Sequence, residues 1–156
     1  MRILMISAEG PPLQRAGALV DVLDALPHEL RKRGHEVSLV LPFYRELREN
    51  KRIEAEDTGV TVDIRVGDKN YVAEYFESRT SSGVQVLLVR CDEFYDRPEI
   101  YGEQGTPYDD NAARFIFFNK AAIELARRLT PAPQILHAHD WAAALIPAYV
   151  QAPNLP

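Results

Sequence analysis

The chain has 156 residues with a formal net charge of -5 at pH 7, 46% hydrophobic and 26% charged residues. That length suits one domain with a single core, and the acidic balance argues against broad binding to a phosphate backbone. One cysteine, Cys91, excludes an internal disulfide framework and suits a reducing compartment, where a lone thiol is most often packing.

In chain order, Arg2 to Ser7 reads as a short buried parallel strand. Its apolar run is too short for a signal-peptide core, and no stretch approaches the roughly 18 apolar residues that cross a bilayer. A cytoplasmic location is therefore expected. A loop containing Gly10, Pro11, Pro12 and Gly17 leads to a helix over about 18–33, whose stripe is Leu19, Val22, Leu23, Leu26 and Leu30. Pro27 is expected to kink or divide it, and Gly34 to stop it. His35 to Leu41 is a second buried strand, which completes a βαβ unit.

Val60 to Val66 and Tyr71 to Phe76 alternate about a Gly67-Asp68 turn and predict a hairpin. Val84 to Val89 reads as another buried strand. Cys91 to Pro107 is expected to be a long polar loop of the kind that often carries function. Asp109 or Asp110 then caps a helix reaching Leu129, which Pro131 and Pro133 end. A short strand over Gln134 to His137 and a helix over about 141–150 follow.

The pattern predicts an α/β domain spanning 1–156: a Rossmann-like, mainly parallel sheet with helices on both faces and an antiparallel hairpin insertion. Ligands of such sheets bind beyond the carboxyl ends of the strands. Two segments fall there, Glu9 to Gly17 and His137 to Trp141. The helix start after Arg15-Ala16-Gly17 offers free N–H donors to an anion, with Arg15 adding charge; equally, Gly17 serves only the turn. His137 and His139 are alternate residues without a matching third metal ligand, so a hydrogen-bonding cluster, with Asp140 capping the next helix, is the alternative to metal binding. Asp110 and Arg114 lie one helical turn apart, where a weak surface ion pair is the plain reading.

Three segments together carry a resemblance. Glu9 to Pro27 resembles the Lys-x-Gly-Gly-Leu-Ala-Asp-Val element of starch/glycogen synthases (glycosyltransferase family 5). Tyr108 to Glu124 resembles that family's Asp-Asn-x-x-Arg-Phe helix, and His137 to Trp141 its His-x-His-Asp-Trp element. Their order and spacing extend the resemblance over essentially the whole chain.

The resemblance implies one half of a GT-B architecture, in which two Rossmann-like domains enclose the active site and the second domain lies outside this chain. It implies transfer of glucose from ADP-glucose or UDP-glucose to an α-1,4-glucan with retention of configuration, without metal or cofactor. On this basis His139 and Asp110 are the catalytic candidates and Arg15, Gly17 and Asp21 the donor-binding ones. Arg114, Asp140 and Trp141 line the cleft. The implied partners are a nucleotide sugar, an α-glucan, and either the second domain or a second copy against the exposed face; nucleic acid and membrane are not expected. The departures are Arg15 for Lys, Ala18 for the second glycine, Val20 for Ala, and Ala142 where the family often has His. They motivate a second expectation, a glucan-binding homologue without turnover, and the isolated chain is expected to be inactive.

Overall fold

The structure is a computed structural model that describes residues 1–13, 18–49 and 53–152. Arg15 and Gly17, two of the donor-binding candidates, lie outside the described residues.

The first strand, β1 (Arg2–Ile6), is followed by α1 (Ala18–Lys32) and β2 (Glu36–Pro42). Pro27 lies inside α1 and is buried, and the helix continues through it rather than dividing. Packing of Val20, Leu23 and Pro27 on the sheet holds the helix where one hydrogen bond is lost. A short helix, α2 (Arg45–Glu49), was not expected; five residues with only Leu47 buried are too few to show a helical period.

The hairpin of β3 (Glu56–Val66) and β4 (Lys69–Arg79) turns at Gly67-Asp68, as the alternation predicted, but both strands are longer. Most of β3 is exposed at the sheet edge, so its added residues are polar and break the apolar alternation. Next comes β5 (Gln85–Arg90). The expected polar loop after it is not structureless. It contains α3 (Asp92–Tyr95) and a small ribbon of β6 (Gly102–Glu103) and β7 (Thr106–Pro107). Cys91, Phe94, Tyr95 and Ile100 from it are buried. Gln104 and Gly105 both adopt positive φ at the ribbon's tip, as a two-residue hairpin turn demands. A Cβ at Gly102 would come within 2.1 Å of the Thr106 carbonyl oxygen, so only glycine fits.

The long helix α4 (Asn111–Arg128), β8 (Ile135–Ala138), a 3-10 turn over Trp141–Ala143 and α5 (Ile146–Gln151) complete the described chain. The expected helix over 141–150 is thus two pieces. Pro147 near the start of α5 suits a fresh helix start better than a helix interior.

The six-stranded sheet runs β3-β4-β5-β2-β1-β8. β5, β2, β1 and β8 are parallel, while β4 is antiparallel to both its neighbours. The chain steps one way across the sheet from β1 to β2 and the other way from β5 to β8. Right-handed crossovers therefore put α1 and α4 on opposite faces. Leu23 of α1 and Leu41 of β2 crowd Gly10 on one face, and Tyr75 of β4 donates to the Ala121 carbonyl of α4 (3.0 Å) on the other. Between them Met5, Ile6, Val40, Leu41, Val86 and Val89 are fully buried. Truncating any one of the larger of these to Ala costs about 2–5 kcal/mol.

The candidate functional site

The parallel strands end on one rim. At its centre the Ser7 amide donates to the Val40 carbonyl (3.1 Å) and the His139 amide to the Ile6 carbonyl (2.9 Å). The segments following β1 and β8 are thereby fixed side by side, where an α/β sheet presents its ligand site.

The α4 N-terminus brings the third segment to this rim. Arg114 is fully buried. It donates to the carbonyls of Phe94 (2.9 Å) and Ile100 (2.7 Å) and to Asn111 Oδ1 (2.6 Å). Burial lowers its pKa, and its Nη2 has no partner. Asn111 in turn donates to the Tyr101 carbonyl (2.8 Å), and the Tyr101 hydroxyl donates to Glu9 Oε1 (2.6 Å). A chain of hydrogen bonds thus runs from the core of α4 to the loop after β1. Arg114 supports the rim from beneath and has no exposed surface to line a cleft.

The surface ion pair between Asp110 and Arg114 does not form. Asp110 stands at the N-cap position of α4, but its side chain makes no capping bond. Both its oxygens go to Arg97, at 2.8 and 2.5 Å. This bidentate charge-assisted pair is stronger than a single amide contact, which explains the missing cap. Arg97 holds the Asp110 carboxyl below the usual carboxylate range. Two guanidiniums lie over the Tyr108 ring, Arg97 at 4.6 Å and Arg114 at 4.9 Å.

The segment after β8 carries the remaining candidates. The His139 ring is 4.0 Å from that of His137 and only 8% exposed, and its Nε2 lacks a partner. Burial first, and His137 second, pull its pKa down to about 4, so it is neutral at pH 7. Asp140 has φ 62 and accepts from the Trp141 amide (2.7 Å), which caps the 3-10 turn as its sequence position suggested. Trp141 packs edge-on to Phe115 (4.9 Å) and against Tyr101 (5.6 Å), yet remains 54% exposed.

Three sequence-remote segments, at Ser7 to Glu9, Tyr101 to Arg114 and His137 to Trp141, therefore meet on one rim. Asp21 is exposed and lines a surface depression with Pro11 and Pro12 of the loop after β1 and with Asp24, Ile53 and Arg79. The sequence reading passed over Arg97, Tyr101, Asn111 and Asn119, and gave Glu9 no role of its own. Tyr101 and Arg97 sit in an aperiodic Gly- and Pro-containing stretch; the one available clue was a carboxylate, Glu9, two residues past a buried strand. Cys91 is buried and its thiol is pushed up to about 11, in keeping with packing. Among the described residues, no group of three or more His, Cys, Asp and Glu side chains is arranged to hold a metal, and no helix is long and apolar enough to cross a membrane.

Residues 2–154 match the family described as starch synthase catalytic domain. The chain is 38% identical over 153 residues to a glycogen synthase of Elusimicrobium minutum, covering 97% of this chain and 31% of that protein. It is 36% identical over 149 residues to a glycogen synthase of Aeromonas salmonicida, covering 94% and 30% respectively. Among solved structures, the catalytic domain of starch synthase IV from Arabidopsis thaliana, bound to ADP and acarbose, superposes with a TM-score of 0.81 at 28% identity. That match covers 96% of this chain and 30% of the other. The chain thus spans about 30% of the length of the curated relatives it matches.

Proposed function

The chain belongs to the starch synthase catalytic domain family, glycosyltransferases of the GT-B fold, and from that premise we propose that its rim is one wall of a sugar-transfer cleft. In this reading a glucosyl unit passes from ADP-glucose or UDP-glucose to the end of an α-1,4-glucan. The observation that carries it is His139, whose buried, neutral and unpartnered Nε2 stands at the carboxyl end of β8 beside the exposed Trp141. A neutral imidazole exchanges hydrogen bonds with a sugar hydroxyl without placing a second positive charge beside an oxocarbenium-like transition state. The indole face of Trp141 suits the C–H face of a pyranose, with the Glu9 carboxylate close by to accept from hydroxyls.

The other roles follow the resemblance. Arg15 and Gly17 cradle the donor diphosphate and Asp21 lies on the donor side. Asp110 keeps the catalytic role that the resemblance implies, with Arg97, on both of its carboxylate oxygens, holding it ionised and in place. Asp140 and Trp141 shape the turn beside His139. Charge developing on the leaving diphosphate needs donors from a second domain, because half a cleft leaves it in water. These 156 residues by themselves are therefore expected not to turn over, and a second domain or a second copy completes the cleft. A cytoplasmic location belongs to the same reading.

Transfer of labelled glucose from ADP-glucose to glycogen tests the proposal. The 156-residue chain alone gives no transfer. Turnover by the chain by itself contradicts the two-domain part. Joined to the remaining seven-tenths of a relative such as the Elusimicrobium minutum protein, it gives transfer that His139→Ala reduces by at least about a hundredfold. A joined protein that is folded and as active with His139→Ala contradicts the role of the rim.

A further inference from the structure

Midway along α4, Asn119 is 1% exposed. A primary amide in a helix interior and in the core is locally unfavourable twice over, by propensity and by desolvation. Its Nδ2 donates to Phe115 O (2.6 Å), one turn back on the same helix, and to Ala142 O (2.7 Å), in the 3-10 turn that begins with Trp141. Both partners are carbonyl oxygens, so the nitrogen end of the amide is fixed by its surroundings. The oxygen end is buried and unpartnered.

The turn needs such a tie. It starts from Asp140 at φ 62, a conformation an ordinary side chain adopts only when its surroundings impose it. On one side the turn hangs from the sheet through the His139 amide and Ile6. Within itself it is closed by Asp140 and the Trp141 amide. Asn119 supplies a hydrogen bond from a different element to its far side. Phe115, four residues earlier on the same helix face, meets the Trp141 ring edge-on at 4.9 Å. One face of α4 therefore grips the Trp141 segment twice, by its ring through Phe115 and by its backbone through Asn119.

We propose that Asn119 is a positioning residue for this site, fixing through the Ala142 carbonyl the orientation in which Trp141 and His139 meet a sugar. The site it serves is the one proposed above, so the sugar half of the inference rests on that reading; the geometric half does not. Nothing polar on Asn119 reaches the rim surface, so it acts only through the turn.

Trp141 is the only tryptophan in the chain, so fluorescence excited at the red edge, where the tyrosines do not absorb, reports this turn alone. Asn119→Leu keeps the branched outline, in a somewhat larger side chain, and removes both donors, and Asn119→Ser, smaller and without the risk of overpacking, removes the reach to Ala142. Leu125→Ala serves as a control, a core truncation later on the same helix that makes no hydrogen bond to the turn. The expected result is that both Asn119 variants raise the acrylamide quenching constant of Trp141 by about twofold and weaken maltoheptaose binding by about three- to tenfold, the loss of one buried hydrogen bond. Leu125→Ala lowers the melting temperature comparably and leaves both quantities at the parent values. Unchanged quenching in the folded Asn119→Ser protein, or an equal rise in Leu125→Ala, overturns the assignment. If the parent binds no maltoheptaose, the glucan reading fails, and the quenching series alone decides the role of Asn119.

Discussion

Two polar regions drawn from interleaved stretches of the chain are built differently. One joins α2, β4, β5 and α3, where Arg45, Arg48 and Arg90 meet Asp92, Asp96 and Glu74 at 2.5 to 3.5 Å. The other is the rim, where Arg114, Asn119 and His139 are buried and each keeps one polar atom without a partner. Most charges of the first network are met at the surface, where ion pairs contribute little, although Arg48 Nε is buried there without a partner. At the rim, Arg114 Nη2 and Asn119 Oδ1 lie beneath the surface, where a low dielectric makes them costly, and His139 Nε2 belongs to the segment proposed to meet a sugar. The two regions differ less in whether an atom is left unpaired than in how deeply their charged and polar side chains are buried.

The comparison is tested first where the largest effect is expected. Arg114→Met removes three hydrogen bonds and leaves two core carbonyls unpaired, so urea unfolding is expected to show a loss of about 3 kcal/mol or more. For a chain of this size the melting temperature falls by roughly 6–12 °C. A loss below about 1 kcal/mol would put Arg114 in the same class as the surface network.

The pH response comes next. His139 titrates in the native state at about 4, against an ordinary value near 6.5, so the unfolded chain takes up its proton first. Its contribution is complete above pH 6.5 and is lost as pH falls from there toward 4. A melting-temperature series shows this slope in the parent and a flatter one in His139→Gln; identical slopes contradict a buried, neutral imidazole.

Arg97→Ala has a smaller effect, about 1 kcal/mol, because the pair with Asp110 is only partly buried. Asp110 is held below its usual range, so that contribution is present above the ordinary carboxylate pKa and fades as pH drops through the native one. The variant should therefore lose less than the parent on acidification. Smallest of all, Arg90→Ala is expected to change stability by no more than about 0.5 kcal/mol and to lose even that in high salt.

The parallel core was legible because Ile3 to Ile6, Val37 to Leu41 and Val86 to Val89 are short apolar runs bounded by breakers. The hairpin was legible from Gly67-Asp68. α2 was not, being shorter than the period that reveals a helix, and neither was the order in the stretch after Cys91, whose contacts are long-range. At the site, Asp140 as a turn cap followed from local chemistry. The partner of Asp110 did not: Arg97 is 13 residues away in a stretch without periodicity, while Arg114, at ideal helical spacing, is drawn into the core by Phe94 and Ile100. Spacing names the neighbours available along a helix; tertiary burial decides which are used. Asn119 gave no signal, since a polar residue in a helical pattern reads as a surface position.

The central claim, that the three remote segments form one sugar-facing wall, is tested most directly by amide chemical-shift mapping of the chain titrated with maltoheptaose. The account predicts shifts centred on Glu9, Tyr101 and His139 to Trp141, with Thr130, Ala132 and Gln134 at the opposite end of the sheet unmoved. Shifts confined to that opposite end, or none at the rim under saturating sugar, would contradict it.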